Sequence, residues 1–132
     1  MPLLRAKNQC EDQKLEAFYV FLGQQLGPEI EISMLRFIEE LNAVLGEWTL
    51  YAFTSHETLV IVESNDAAAT PIVLVAPVRG DEQKLSIGLN PNIDYYDPSA
   101  IKWTKELMSD RALEQVVKIL KESGKLLCSL DR

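Results

Sequence analysis

WTLYAFTSHETLVIVESNDAAATPIVLVAPVRGDEQKLSIGL, residues 48–89, decides how this chain folds. It reads as four short strands in a row: Trp48 to Thr54, Thr58 to Glu63, Ile72 to Val78, and Leu85 to Leu89. These runs are rich in Val, Ile, Leu, Tyr and Phe, which suit a pleated surface. Ser55 to Glu57 is a short connection, so the first two strands should form a hairpin. Pro77 predicts an edge or a bulge near the end of the third strand. Arg79 to Lys84 is polar and contains Gly80-Asp81, a turn signal.

Helical patterns flank this stretch and none interrupts it. That order predicts an α+β domain: a four-stranded antiparallel meander, preceded by a helical hairpin and followed by two helices. The first helix is expected over Asp12–Leu26, with Leu15, Phe18, Tyr19, Leu22 and Leu26 on one stripe. Gly23 weakens this helix unless a close neighbour needs the space. Gly27-Pro28 ends it and opens a second helix, Pro28–Leu45. Glu29 and Glu31 suit the positive end of that helix's dipole. Asp97-Pro98 predicts a third helix through Met108, and Ser109 or Asp110 caps a fourth that ends at Gly124. Residues 1–10 read as a loose arm, and Leu126, Leu127 and Leu130 as an apolar tail that docks on the body.

The fourth strand alternates, with Leu85, Ile87 and Leu89 on one side and Ser86 and Gly88 on the other. The second and third are apolar on both sides, so both faces of the sheet need cover. Either the helices divide between the faces, or a second copy covers one, as in a homodimer.

The 132 residues suit a single domain, and a 47% apolar share is ordinary for a globular chain. No apolar run approaches the roughly 20 residues that span a bilayer. Arg5 and Lys7 lead into no secretory h-region. Cys10 and Cys128 are the only cysteines. That count fits reduced thiols and a cytoplasmic protein better than a disulfide framework.

The formal net charge is -7. Between Glu29 and Asp66 eight acids face one base, Arg36, while acids and bases elsewhere cancel. Such a field disfavours nucleic acid, which needs cations to displace its counterions. It favours a partner with a basic surface, by electrostatic steering.

No phosphate loop, dinucleotide fingerprint or nucleophile elbow is present. His56 is the only histidine. It sits at a hairpin tip, accessible but without an obvious orienting acid, since adjacent Glu57 points the other way on an extended chain. One histidine and two distant cysteines make no usual zinc set. Asn90, Asn92 and Asp94 alternate like the first ligands of a calcium loop. Tyr95 stands where that loop needs glycine and Ile101 where it needs glutamate, so Asx-turns explain them better. No metal or cofactor is expected.

These readings favour binding over catalysis. The leading expectation is a small acidic interaction protein of adaptor, chaperone, inhibitor or immunity type. Glu39 and Glu40 on the second helix would steer a basic protein partner, and Tyr95, Tyr96 and Trp103 would anchor it. The alternative is a small-molecule-binding domain or a modest enzyme with a pocket between helices and sheet. His56, Asp94 and Asp97 would be its polar groups.

Overall fold

The computed structural model describes residues 3–5, 15–46, 50–62, 71–89, 98–104 and 106–122. The expectations for Cys10, Asp94, Tyr95, Tyr96, Asp97, Gly124, Cys128 and the apolar tail lie outside these residues.

The described elements are β1 (Leu3–Arg5), α1 (Leu15–Leu26), α2 (Pro28–Leu45), β2 (Leu50–Ser55), β3 (Thr58–Val62), β4 (Pro71–Val78), β5 (Asp81–Leu89), β6 (Lys102–Trp103), β7 (Leu107–Met108) and α3 (Ser109–Glu122). The fold is α+β: a helical hairpin, an antiparallel meander β2-β3-β4-β5, and a final helix.

The helical hairpin turns on a single residue. The Gly27 N–H donates to the Gly23 carbonyl at 3.1 Å, closing α1, and the Gly27 carbonyl accepts from the Ile30 N–H at 3.2 Å, opening α2. Its φ of 148° is open to glycine and strained for other residues. Gly23 is buried against Glu31, the close approach that justifies a glycine inside α1. Apolar spacing then puts Leu15 and Tyr19 of α1, and Ile30, Met34, Phe37, Ile38, Leu41 and Leu45 of α2, into the core.

All three described helices serve one face of the sheet. That face supplies Leu50, Ala52, Leu59, Ile61, Val73, Val75, Leu85 and Ile87 to the same cluster as the helices. Among the described residues the expected division of helices between the two faces does not occur. The second face has its own cluster, Val60, Val62 and Leu74, flanked by Tyr51, Phe53 and Ile101. Those three central residues are buried within the single chain, so no second subunit is needed to cover them.

The stretch expected to be a third helix is the clearest departure. Pro98–Ala100 makes one 3-10 turn, and the short strands β6 and β7 follow it, with Gly88 opposite Trp103 and Leu85 opposite Leu107. Asp97-Pro98 gave a start signal, but Ile101, Trp103 and Thr104 favour strand, and the exposed edge of β5 offers unpaired backbone groups to satisfy. Thr104 binds Ile87 twice: its N–H donates to the Ile87 carbonyl at 2.8 Å, and its Oγ1 accepts from the Ile87 N–H at 3.1 Å. Among the described residues one helix, α3, therefore comes after the sheet. At the other edge, the segment expected to be a loose arm contributes β1, which pairs parallel to β2 with Leu4 opposite Tyr51.

The bulge expected at Pro77 is present, as a register shift between Pro77 and Val78. The β4–β5 turn is tighter than expected, because Asp81–Lys84 already belongs to β5. Those polar residues run on past the core, where strand pairing needs no apolar side.

Candidate functional site

In an antiparallel meander the β2–β3 and β4–β5 turns fall at the same end of the sheet. His56 and Glu57 form the first turn and Arg79 and Gly80 the second. His56 takes a φ of 55°, the positive value that tight two-residue hairpin turns need and that glycine usually supplies.

Three contacts fasten this end. Arg79 Nη2 lies 2.9 Å from Glu57 Oε2, an ion pair between partly exposed groups. The Tyr19 hydroxyl donates to the Glu57 carbonyl at 3.0 Å, tying α1 to the hairpin tip. The Gly80 N–H donates to Glu29 Oε2 at 2.9 Å, tying the start of α2 to the second turn. That backbone bond and a bond from the Glu29 backbone hold the Glu29 carboxyl below its ordinary value of 4.5, outweighing desolvation, and the nearby Arg79 charge adds a lesser pull in the same direction. Arg36, the single base of the acidic segment, is also used internally: it donates to the Glu82 carbonyl at 2.7 Å and to Ser109 Oγ at 3.4 Å.

Two clefts meet at the first turn and share His56 and Glu57 as their common wall. One, of about 430 Å³, lies on the second face of the sheet, with Thr58, Leu74, Ile101 and Trp103 as its other principal walls. The other, of about 590 Å³, lies between α1 and the hairpin, walled by Phe18, Leu22 and Leu26 and closed by Thr54 and Arg79.

Trp103 is fixed by backbone pairing. Phe53, Val60, Leu74, Gly88 and Trp103 stand opposite one another strand by strand, and so share one face. A Cβ on Gly88 would come within 2.8 Å of Ile101 Cγ2 and 3.0 Å of the Trp103 ring, so glycine makes room for both. Trp103 nevertheless remains 44% exposed.

The structure thus brings together two residues expected in rival sites, Trp103 and His56, which line one cleft. It does not bring Glu39 and Glu40 to them. Glu39 is exposed and Glu40 half-buried on α2, which packs against the opposite face of the sheet. Glu29 and Glu57, counted in the acid excess, are partnered internally. Arg79, Ile101 and the α1 wall were not singled out as one site by the sequence. Arg79 meeting Glu57 was in principle readable, because alternate turns of a meander share an end.

Among the described residues the His56 imidazole has no hydrogen-bond or ion-pair partner, so none of them orients it for general-base work. Among them no group of three His, Cys, Asp or Glu side chains gathers to hold a metal. Among them, too, no helix is long and apolar enough to cross a membrane. The site offers shape, apolar surface and a few polar groups. Comparison with known proteins gave no matching family model, no matching curated protein and no matching solved structure.

Proposed function

We propose that this is an acidic interaction protein of adaptor, chaperone, inhibitor or immunity type, acting by contact with a protein whose surface is basic. The observation that carries the reading is Trp103: a large aromatic on a paired strand, half in solvent, at the rim of a cleft. Interface anchors have this form, because a rigid aromatic buries much area at little entropic cost. The acids of α2 lie on the other layer and act during approach. Charges outside the contact raise the association rate, while the buried anchor sets how long the complex lasts. The low cysteine count fits a cytoplasmic address.

Affinity capture from the source cell with the wild-type chain, Trp103→Ala and Glu39→Lys/Glu40→Lys tests this. A basic protein retained by the wild type, released by salt and weakened by either variant is the expected result. Equal retention by all three overturns the reading.

The α1 cleft favours a second reading, a small-molecule-binding domain. Its volume falls in the range of ligand pockets, and it joins an apolar wall to a polar end formed by His56, Glu57 and Arg79. A compound retained through purification, seen by native mass spectrometry and lost in Leu22→Arg, would decide for it.

A further inference from the structure

The three helices differ in what they show to the outside. Among α3's exposed residues are Asp110, Arg111, Glu114, Lys118, Lys121 and Glu122, all charged. The exposed residues of α1 are Ala17, Val20, Phe21, Gln24, Gln25 and Leu26, and none is charged. Indeed the twelve residues Ala17 to Pro28 carry no acid or base, in a chain that is 25% charged. Phe21 is 51% exposed and Val20 37%. At 100° per residue, Ala17, Val20, Phe21 and Gln24 lie on one face, opposite the buried Leu15 and Tyr19. The outer side of a surface helix is normally charged or polar, whereas this one shows Val20 and Phe21 with no charge, and the described remainder of the molecule covers only the opposite side.

We propose that the outer face of α1 is a self-association surface, and that its occupant is α1 of a second copy. Charge selects that occupant. A basic partner finds its complement on α2 and gains nothing from a neutral face. Two copies each carrying -7 repel one another, and least where no charge stands. A two-fold axis across α1 sets the two helices antiparallel, so that Phe21 of each copy meets Val20 and Ala17 of the other. The homodimer suggested by the apolar second face of the sheet thereby moves to the helical layer, since the centre of that sheet face is already buried.

Size fixes the strength. Twelve helical residues run about 18 Å, too short to reach the roughly 1,600 Å² buried in a standard stable interface. The dimer is accordingly weak, and like-charge repulsion makes it stronger in salt. That is opposite to the salt response of the proposed basic complex.

Sedimentation velocity of the full chain from about 10 µM to about 500 µM, at low and high salt, reads this directly. The expected result is a monomer–dimer equilibrium that shifts toward dimer with salt. Phe21→Glu should raise the dissociation constant by about tenfold or more, since it buries a charge against its symmetry mate. Trp103→Ala should leave it unchanged, which separates this surface from the partner-binding cleft. Circular dichroism confirms that Phe21→Glu is folded, and Val20→Lys provides an independent second variant. A wild-type chain that stays monomeric throughout, or a dimer that both α1 variants leave intact, overturns the proposal.

Discussion

Gly88 lies directly opposite Trp103 across the β5–β6 ladder, and the absence of a side chain on the first is what lets the ring of the second settle against the sheet. Gly88→Ala forces Ile101 and Trp103 to move, because the new methyl would stand 2.8 Å from one and 3.0 Å from the other. A loss of roughly 1–3 kcal/mol is expected, the usual cost of overpacking. Denaturant unfolding measures it. Tryptophan emission, monitored in a Trp48→Phe background, should shift as Trp103 leaves its seat. An unchanged midpoint and spectrum would mean that the ring does not rest on Gly88.

His56 holds a positive φ that costs a non-glycine residue about 1 kcal/mol. His56→Gly should therefore stabilise the fold by roughly 0.5–1 kcal/mol. It also removes part of the wall common to both clefts, so affinity for the captured partner should fall while stability rises. Opposite signs in the two measurements mark a residue kept for function. Destabilisation by the glycine would show that the imidazole supports the hairpin.

Tyr19→Phe deletes the hydroxyl that binds the Glu57 carbonyl and keeps the buried ring. The expected cost is about 0.5–1.5 kcal/mol, that of one hydrogen bond. Amide exchange should quicken at the β2–β3 turn more than in the β4–β5 ladder. Uniform exchange across both would place the loss elsewhere.

Glu29 gives a pH signature. Its carboxyl titrates lower in the folded chain than in the unfolded one, chiefly because the Gly80 N–H binds the ionised form. The stabilisation is therefore complete above the ordinary value of 4.5, and is lost as pH falls through the lower folded-state value. Glu29→Gln should be less stable than wild type at neutral pH, and the gap should close in acid. Chemical denaturation at about pH 7 and near pH 3 tests this. A gap that does not depend on pH would contradict the link.

The meander was legible because strand-forming runs alternate with unmistakable turn signals. The helical hairpin was legible because Gly27-Pro28 can end one helix and start another. The edge of the sheet escaped. Asp97-Pro98 is a local helix-start signal, yet the conformation of β6 and β7 is fixed by pairing with β5, whose edge lies far off in sequence. Thr104 completes that ladder with its side chain, a use that no propensity foretells. The packing of Ile101 on the second sheet face is hidden for the same reason, since a helix-start signal precedes it in sequence. At the site, composition pointed to His56 and Trp103 separately. Only register brings them to one cleft, because Trp103 reaches that face through its pairing with Gly88. Glu39, Glu40 and Trp103, expected on one binding surface, belong to different layers, and the sheet stands between them.

Under the proposed function, Trp103 holds the partner and the acids of α2 hasten its arrival. Stopped-flow association and dissociation rates with the captured partner, for wild type, Trp103→Ala and Glu39→Lys/Glu40→Lys across a salt series, test that division most directly. The expected result is a dissociation rate raised at least about tenfold by Trp103→Ala, with association little changed, and a slower, less salt-sensitive association for the double charge reversal. Rates unaltered by Trp103→Ala, or an association whose salt dependence survives the reversal intact, would contradict it.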